Sequence, residues 1–142
     1  MQLPLLDMQL LLPNSVVAEI IGYNMPDDEQ RQSGWLHGNI EWRGVSVPVI
    51  SVEKLCELEV APTGARTRIA VVYNPANDAD LPYIGLILQD IPRAYLAEEE
   101  RLSGEIVVPG CKYLLSQLDV MSEHQCIPDL DAIAAVIKQQ AA

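Results

Sequence analysis

The chain has 142 residues, about half of them apolar, with 20 acidic against 9 basic residues and a formal net charge of −11. That length suits one compact domain, and the apolar half is enough to bury a core. The charge excludes a chain that tracks phosphates with a lysine- and arginine-rich face and opposes adsorption to anionic membranes, so neither nucleic acid nor direct membrane insertion is expected.

The opening MQLPLLDMQLLLP has no basic segment, carries Asp7 inside its apolar run and shows no small-residue cleavage site. It is not expected to be a signal peptide. No apolar run reaches the roughly 18 residues of a membrane span. Residues 5–12 read as a strand, stopped by Pro13, Asn14 and Ser15. The VVAEIIGY run at 16–23 is a strand or one helical turn, and its β-branched content leans towards strand. Residues 24–34 are polar, with Pro and Gly, and read as an exposed loop. Residues 35–44 form a strand entering a turn and 45–50 the returning strand, whose Pro48 suggests an edge or a bulge. Ser51 is placed to cap a short helix over 51–58. A linker at 61–67 precedes a β-branched strand at 68–73, and NPANDAD at 74–80 reads as a turn cluster.

The stretch 81–88 is a strand in which Gly85 marks a bulge or a close backbone approach. A further strand is expected at 91–96, a charged connector at 97–105, and strands at 106–110 and 111–121. An amphipathic helix at 128–140 starts at Pro128 or Asp129 and carries Lys138 near its end. Short strands about ten residues apart predict a mainly β barrel or sandwich with accessory helices.

Cys56, Cys111 and Cys126 are odd in number and widely spaced, with no CxxC pair. They are expected as reduced thiols in a cytoplasmic protein. His124 and Cys126 would share one strand face, but no orienting third group or oxyanion site accompanies them. NPANDAD lacks the glycine of a calcium loop, and EEE at 98–100 reads as a solvated connector. There is no phosphate-binding loop and no nucleophile elbow. No enzyme activity, metal or cofactor is expected. Trp35, Trp42 and Arg43 instead gather at one hairpin. They could anchor a protein interface, or the tryptophans could fill a barrel rim while Arg43 pairs with a surface acid.

Residues 35–55 also lie over 113–133 without a gap, at an offset of 78 positions. An aromatic–Leu pair opens both segments; Ile40 falls on Leu118, Val49 on Ile127, Val52 on Leu130 and Leu55 on Ile133. Either two unrelated strand–turn–strand–helix units lie here, or the chain holds two similar barrel halves, each closed by a helix.

The stretch GNIEWRGVSVPVISVEKL resembles the signature of the CheW-like family of chemotaxis coupling proteins, through Gly38, Arg43, Gly44, Val47, Pro48, Val49, Ile50 and Leu55. Val17, Glu19 and Ile20 upstream, and Gly85, Leu86, Ile87, Leu88 and Ile91 downstream, match in order, and CIPDLDAI resembles the closing strand and helix. Ser51 and Gln89 stand where the family commonly has Asp, and IEW replaces the usual start of the turn. These departures resemble a divergent member, of the ChpC-like type in chemosensory systems that control type IV pili. The resemblance implies one CheW-like domain over 1–142, built of two intertwined, five-stranded SH3-like barrels. It implies a non-catalytic adaptor between the cytoplasmic tip of a methyl-accepting chemoreceptor and a CheA-type histidine kinase. It assigns protein contact to Arg43, with Gly38, Gly44, Val17, Ile87 and Leu88 as further candidates. The alternative is a β-barrel module that takes a peptide along an exposed strand edge.

Overall fold

The computed structural model describes residues 1–6, 8–23, 34–59, 63–92, 105–107, 110–120 and 123–141. In chain order these form β1 (Gln2–Pro4), β2 (Gln9–Leu11), β3 (Val17–Gly22), β4 (Leu36–Trp42), β5 (Val45–Ile50), α1 (Val52–Leu55), β6 (Arg68–Asp78), β7 (Leu81–Leu88), β8 (Glu105–Val107), β9 (Leu114–Val120), β10 (Glu123–Pro128) and α2 (Leu130–Ala141). The strands build two five-stranded sheets, ordered β1-β2-β10-β9-β8 and β3-β6-β7-β5-β4. The chain is mainly β, as its pattern predicted. The loop at 24–33 and the stretches at 93–104 and 108–109 lie outside the described residues.

The second sheet explains why its strands read as unbroken apolar runs. Successive side chains on a strand point to opposite faces, and here both faces are covered. Ile69 and Val71 of β6, Val47 and Val49 of β5 and Ile87 of β7 enclose a small core with Trp42. Ala70, Val72, Ile50, Leu86 and Leu88 face the larger core, shared with Leu3 and Leu10 of the first sheet and with α2. Gly85 sits on the small-core face, where a Cβ would come within 3.1 Å of both Ile69 and Val49 side chains. The close backbone approach read from the sequence is the reason for that glycine.

Three expectations change. The apolar run 5–12 is not one strand: β1 and β2 form a hairpin, turned where the Leu5 amide donates to the Met8 carbonyl at 2.8 Å. The NPANDAD cluster is mostly strand, since β6 runs on to Asp78 with a register shift after Tyr73. Its turn chemistry survives inside the strand. Asn74 Nδ2 donates to the Leu81 carbonyl at 2.8 Å while its Oδ1 accepts from the Ala76 amide at 3.0 Å. Pro48 is not on an edge, because β5 lies between β7 and β4; it precedes Val49 and Ile50, the two residues that pair with β7.

The internal repeat is real in three dimensions. Shifted by 78 positions, β4 falls on β9, β5 on β10 and the start of α1 on the start of α2. Pairing repeats residue for residue, from Trp42↔Val45 against Val120↔Glu123 to Gly38↔Val49 against Ser116↔Ile127, and both ladders then slip at the same place. The caps match as well. Ser51 accepts from the Lys54 amide at 3.2 Å and Asp129 from the Ala132 amide at 3.1 Å. The Ser51 and Asp129 amides themselves donate to the Trp35 and Tyr113 carbonyls, each at 2.8 Å.

The halves are interlocked. Helix α2 follows β10 of the first sheet yet packs on β6 and β7 of the second, burying Leu130, Ile133, Ala134 and Ile137 along one helical face. Conversely, α1 follows β5 of the second sheet, and the residue after it, Cys56, is disulfide-bonded to Cys111 just before β9. The expectation of three reduced thiols is therefore corrected. Spacing in sequence reveals only local cysteine pairs, whereas this one is 55 residues apart and is made by the interlock.

Candidate functional site

Two residues, Arg43 and Gly44, join β4 to β5, and both have positive φ, 49° and 78°. Two-residue hairpin loops with both φ values positive match the right-handed twist of the strands, and Asn-Gly is their usual sequence. An arginine in this backbone region gives up about 1 kcal/mol relative to a residue that tolerates it. Turn chemistry therefore does not explain Arg43; its side chain must.

That side chain reaches across to β3. Arg43 Nη2 donates to Glu19 Oε1 of β3 at 2.8 Å, and the guanidinium carbon lies 4.8 Å from the centre of the Trp42 ring. Strands β3 and β4 are the two ends of the second sheet's order, with no backbone ladder between them among the described residues. Side chains close this seam: the Arg43–Glu19 pair at one place, and Tyr23 Oη with His37 Nδ1 at 3.2 Å at another. Ala18, Ile21 and Tyr23 from one side and Ile40 and Trp42 from the other complete the small core. The pair is held in register but remains wet, with the Arg43 and Glu19 side chains 69% and 38% exposed. Such a pair contributes under about 1 kcal/mol to stability, so Arg43 presents a fixed charge to solvent more than it holds the barrel shut.

The other predicted contact residues disperse. Gly44 is exposed beside Arg43, and Val17 is half-buried at the start of β3. Gly38 is buried, with φ of 121°, next to the slip in the β4–β5 ladder. Ile87 and Leu88 point into the small and the larger core respectively. Trp42 is buried and Trp35 packs half-buried on the larger core, so the tryptophans fill space, as the rim-filling reading held. Tyr83 packs edge-on to Trp42 at 4.9 Å and Tyr73 follows at 5.5 Å, extending an aromatic rim away from Arg43.

A second feature lies at the other end of β7. An open cleft of about 470 Å³ is lined by Pro4, Leu5 and Leu6 of the first sheet's hairpin, by Gly64–Thr67 before β6, and by Gln89 and Asp90 after β7. Arg66 pairs with Asp90 at its lip. Beneath it Glu53 of α1 is only 2% exposed; it accepts from the Leu6 amide and from Gln89 Nε2, each at 3.0 Å. Glu53 thus ties both sheets to α1. Sequence reasoning passed over it, because a lone glutamate on a four-residue helix carries no pattern. From Tyr83 to Gln89 the strand rise of about 3.3 Å per residue separates the two features by roughly 20 Å.

The remaining chemical candidates do not converge. Cys126 is buried in the larger core, only the backbone of His124 is described, and among the described residues no three His, Cys, Asp or Glu side chains gather as a metal site would. No helix among the described residues is long and apolar enough to cross a membrane.

A family model described as the CheW-like domain matches residues 2–107. Among solved structures the chain is similar to the scaffolding protein TtCheW from Thermoanaerobacter tengcongensis, with a TM-score of 0.68 and 16% identity over 89% of this chain and 80% of that one. A search of curated proteins finds no match.

Proposed function

The chain belongs to the CheW-like family, whose members are non-enzymatic chemotaxis scaffolds coupling receptors to CheA kinases, and from that premise we propose its particular task. It joins the cytoplasmic tip of a methyl-accepting chemoreceptor to a CheA-type histidine kinase in the system that controls type IV pilus twitching, and it works in the cytoplasm. All 142 residues act as one CheW-like domain of two intertwined subdomains. The observation that carries this reading is the exposed Arg43 guanidinium, held by Glu19 and Trp42 at a turn whose backbone does not favour arginine. A fixed, solvent-facing charge sets register and discriminates between partners more than it adds affinity. Gly44 and Val17 flank that contact, whereas Gly38 and Ile87 serve it by shaping the small barrel and Leu88 acts through the larger core. The cleft at the opposite end of β7 offers a second, separate surface, as a two-partner adaptor requires. Departures from the family pattern are absorbed locally: Ser51 caps α1 and Gln89 pairs with Glu53.

The peptide-binding alternative loses the hint that Pro48 gave, since β5 lies between β7 and β4. The test is titration of the chain into the regulatory portion of the CheA-type kinase from the same organism, with Arg43→Glu alongside. Saturable binding, weakened tenfold or more by the substitution, is expected. Saturable binding that ignores the substitution would move the surface away from the hairpin. No binding to kinase or receptor tip by folded protein would overturn the adaptor role.

A further inference from the structure

Among the described residues, the Cys56–Cys111 pair is a chemically reactive group that the scaffold reading leaves unused. The two residues come from different sheets: Cys56 ends α1 after β5, and Cys111 opens the turn into β9, its carbonyl accepting from the Leu114 amide at 3.1 Å. Their Cα atoms are 5.3 Å apart, inside the span a disulfide bridges without moving backbone. Both are half-buried rather than enclosed, in contrast to Cys126, which is 1% exposed in the core. Although both pack against the larger core, this partial exposure gives a small thiol or disulfide a route to the pair that the enclosed Cys126 lacks. Disulfides kept purely for stability are resistant to such exchange, whereas exposed ones are the labile and regulatory kind.

We propose that Cys56 and Cys111 form a reversible thiol–disulfide exchange site that takes low-molecular-weight disulfides as oxidant and thiols as reductant, and so locks or releases α1 against β9. Either thiol can act first as its thiolate. When Cys111 is first, its thiolate attacks one sulfur of the external disulfide; that S–S bond breaks, a mixed disulfide forms on Cys111 and one external thiolate leaves. The Cys56 thiol then gives up its proton and attacks the Cys111 sulfur, expelling the second external thiolate. Two protein thiols are oxidised and one external disulfide is reduced to two thiols. Reduction by excess thiol retraces both steps.

What the bond fixes is the joint between the sheets. Besides the disulfide, α1 is tied to the first sheet's hairpin by Glu53, which accepts from the Leu6 amide. Opening the disulfide leaves that hydrogen bond and the larger core to hold α1, and its amides become freer to exchange. This inference stands whether or not the scaffold reading holds.

The test uses the full chain equilibrated in reduced and oxidised glutathione mixtures. Acid quench, alkylation and peptide mass mapping give the fraction of Cys56–Cys111 bond, and hydrogen exchange reports α1 and the 111–114 turn. The expected result is a bond fraction that rises and falls reversibly with the glutathione ratio. Amides of the α1 region should exchange at least tenfold more slowly in the oxidised form. Cys56→Ser and Cys111→Ser should each stop at a mixed disulfide with glutathione on the remaining thiol, with circular dichroism confirming that both variants fold. A bond that never forms in oxidised buffer, or one that native protein keeps in excess reduced glutathione, would overturn the proposal. So would a bond that titrates without changing exchange at α1, since the lock would then have no mechanical effect.

Discussion

A single arginine in an unfavourable backbone conformation carries most of the functional argument. Asn is the better turn residue at position 43 and regains about 1 kcal/mol of backbone strain. It also gives up the exposed Glu19 pair, worth under about 1 kcal/mol, and the stacking on Trp42, worth about 0.5–1 kcal/mol. These terms nearly cancel, so Arg43→Asn is expected to unfold within about 1 kcal/mol of the parent in urea while binding to the kinase falls sharply. Loss of more than about 2 kcal/mol would make Arg43 a structural residue. At this scale the sequence was partly readable. Arg43, Gly44 and Ser51 stood out because their neighbours define a turn and a cap. Glu53 did not, because its two partners, Leu6 and Gln89, come from distant segments.

Elements were legible wherever local chemistry decides them. The β4–β5 hairpin, β7 and both helix starts lie where alternation and caps put them, and the 78-residue echo that apolar spacing left open is decided by the matching ladders. Misreadings arose where tertiary pairing overrode local signals: β1–β2 doubled back within one apolar run, and NPANDAD was drawn into β6. That β6 extension has a use, because it brings Asp78 to Lys138 of α2 as an ion pair. The hydrogen bond from Lys138 is the main cause that lowers the Asp78 pKa, and the Asp78 carboxylate in turn raises that of Lys138. A depressed acid contributes stability above its unfolded pKa and loses it as pH falls through the folded value; a raised base loses it only as pH climbs past its own. The contact should thus persist across the neutral range and fail below the usual carboxylate range. Carboxyl-detected NMR titration should place Asp78 below an ordinary aspartate and move it upward in Lys138→Gln. An Asp78 midpoint indifferent to that substitution would remove the contact from consideration.

For the molecule as a whole, the sequence raised two alike halves as one of two readings and did not show which segments interlock. Repetition is a local property that survives in spacing. The disulfide, the seat of α2 on β6 and β7, and the Glu53 bridge depend on which distant segments meet, and no single stretch records that. The strand order has a consequence in time as well as in space. The sheet holding Arg43 is drawn from one continuous run, β3 to β7, and can assemble while the rest of the chain is still being made. Its companion pairs β2 with β10, where Gln9 meets Gln125 across 116 positions of sequence. Strand β2 must therefore wait for β10, with Leu3, Leu5 and Leu10 lacking their final cover in the meantime. Because closing so long a loop is slow relative to local pairing, pulsed hydrogen exchange during refolding should show β6 and β7 protected before β2. Simultaneous protection would mean that the interlock, rather than the continuous sheet, is what nucleates the fold.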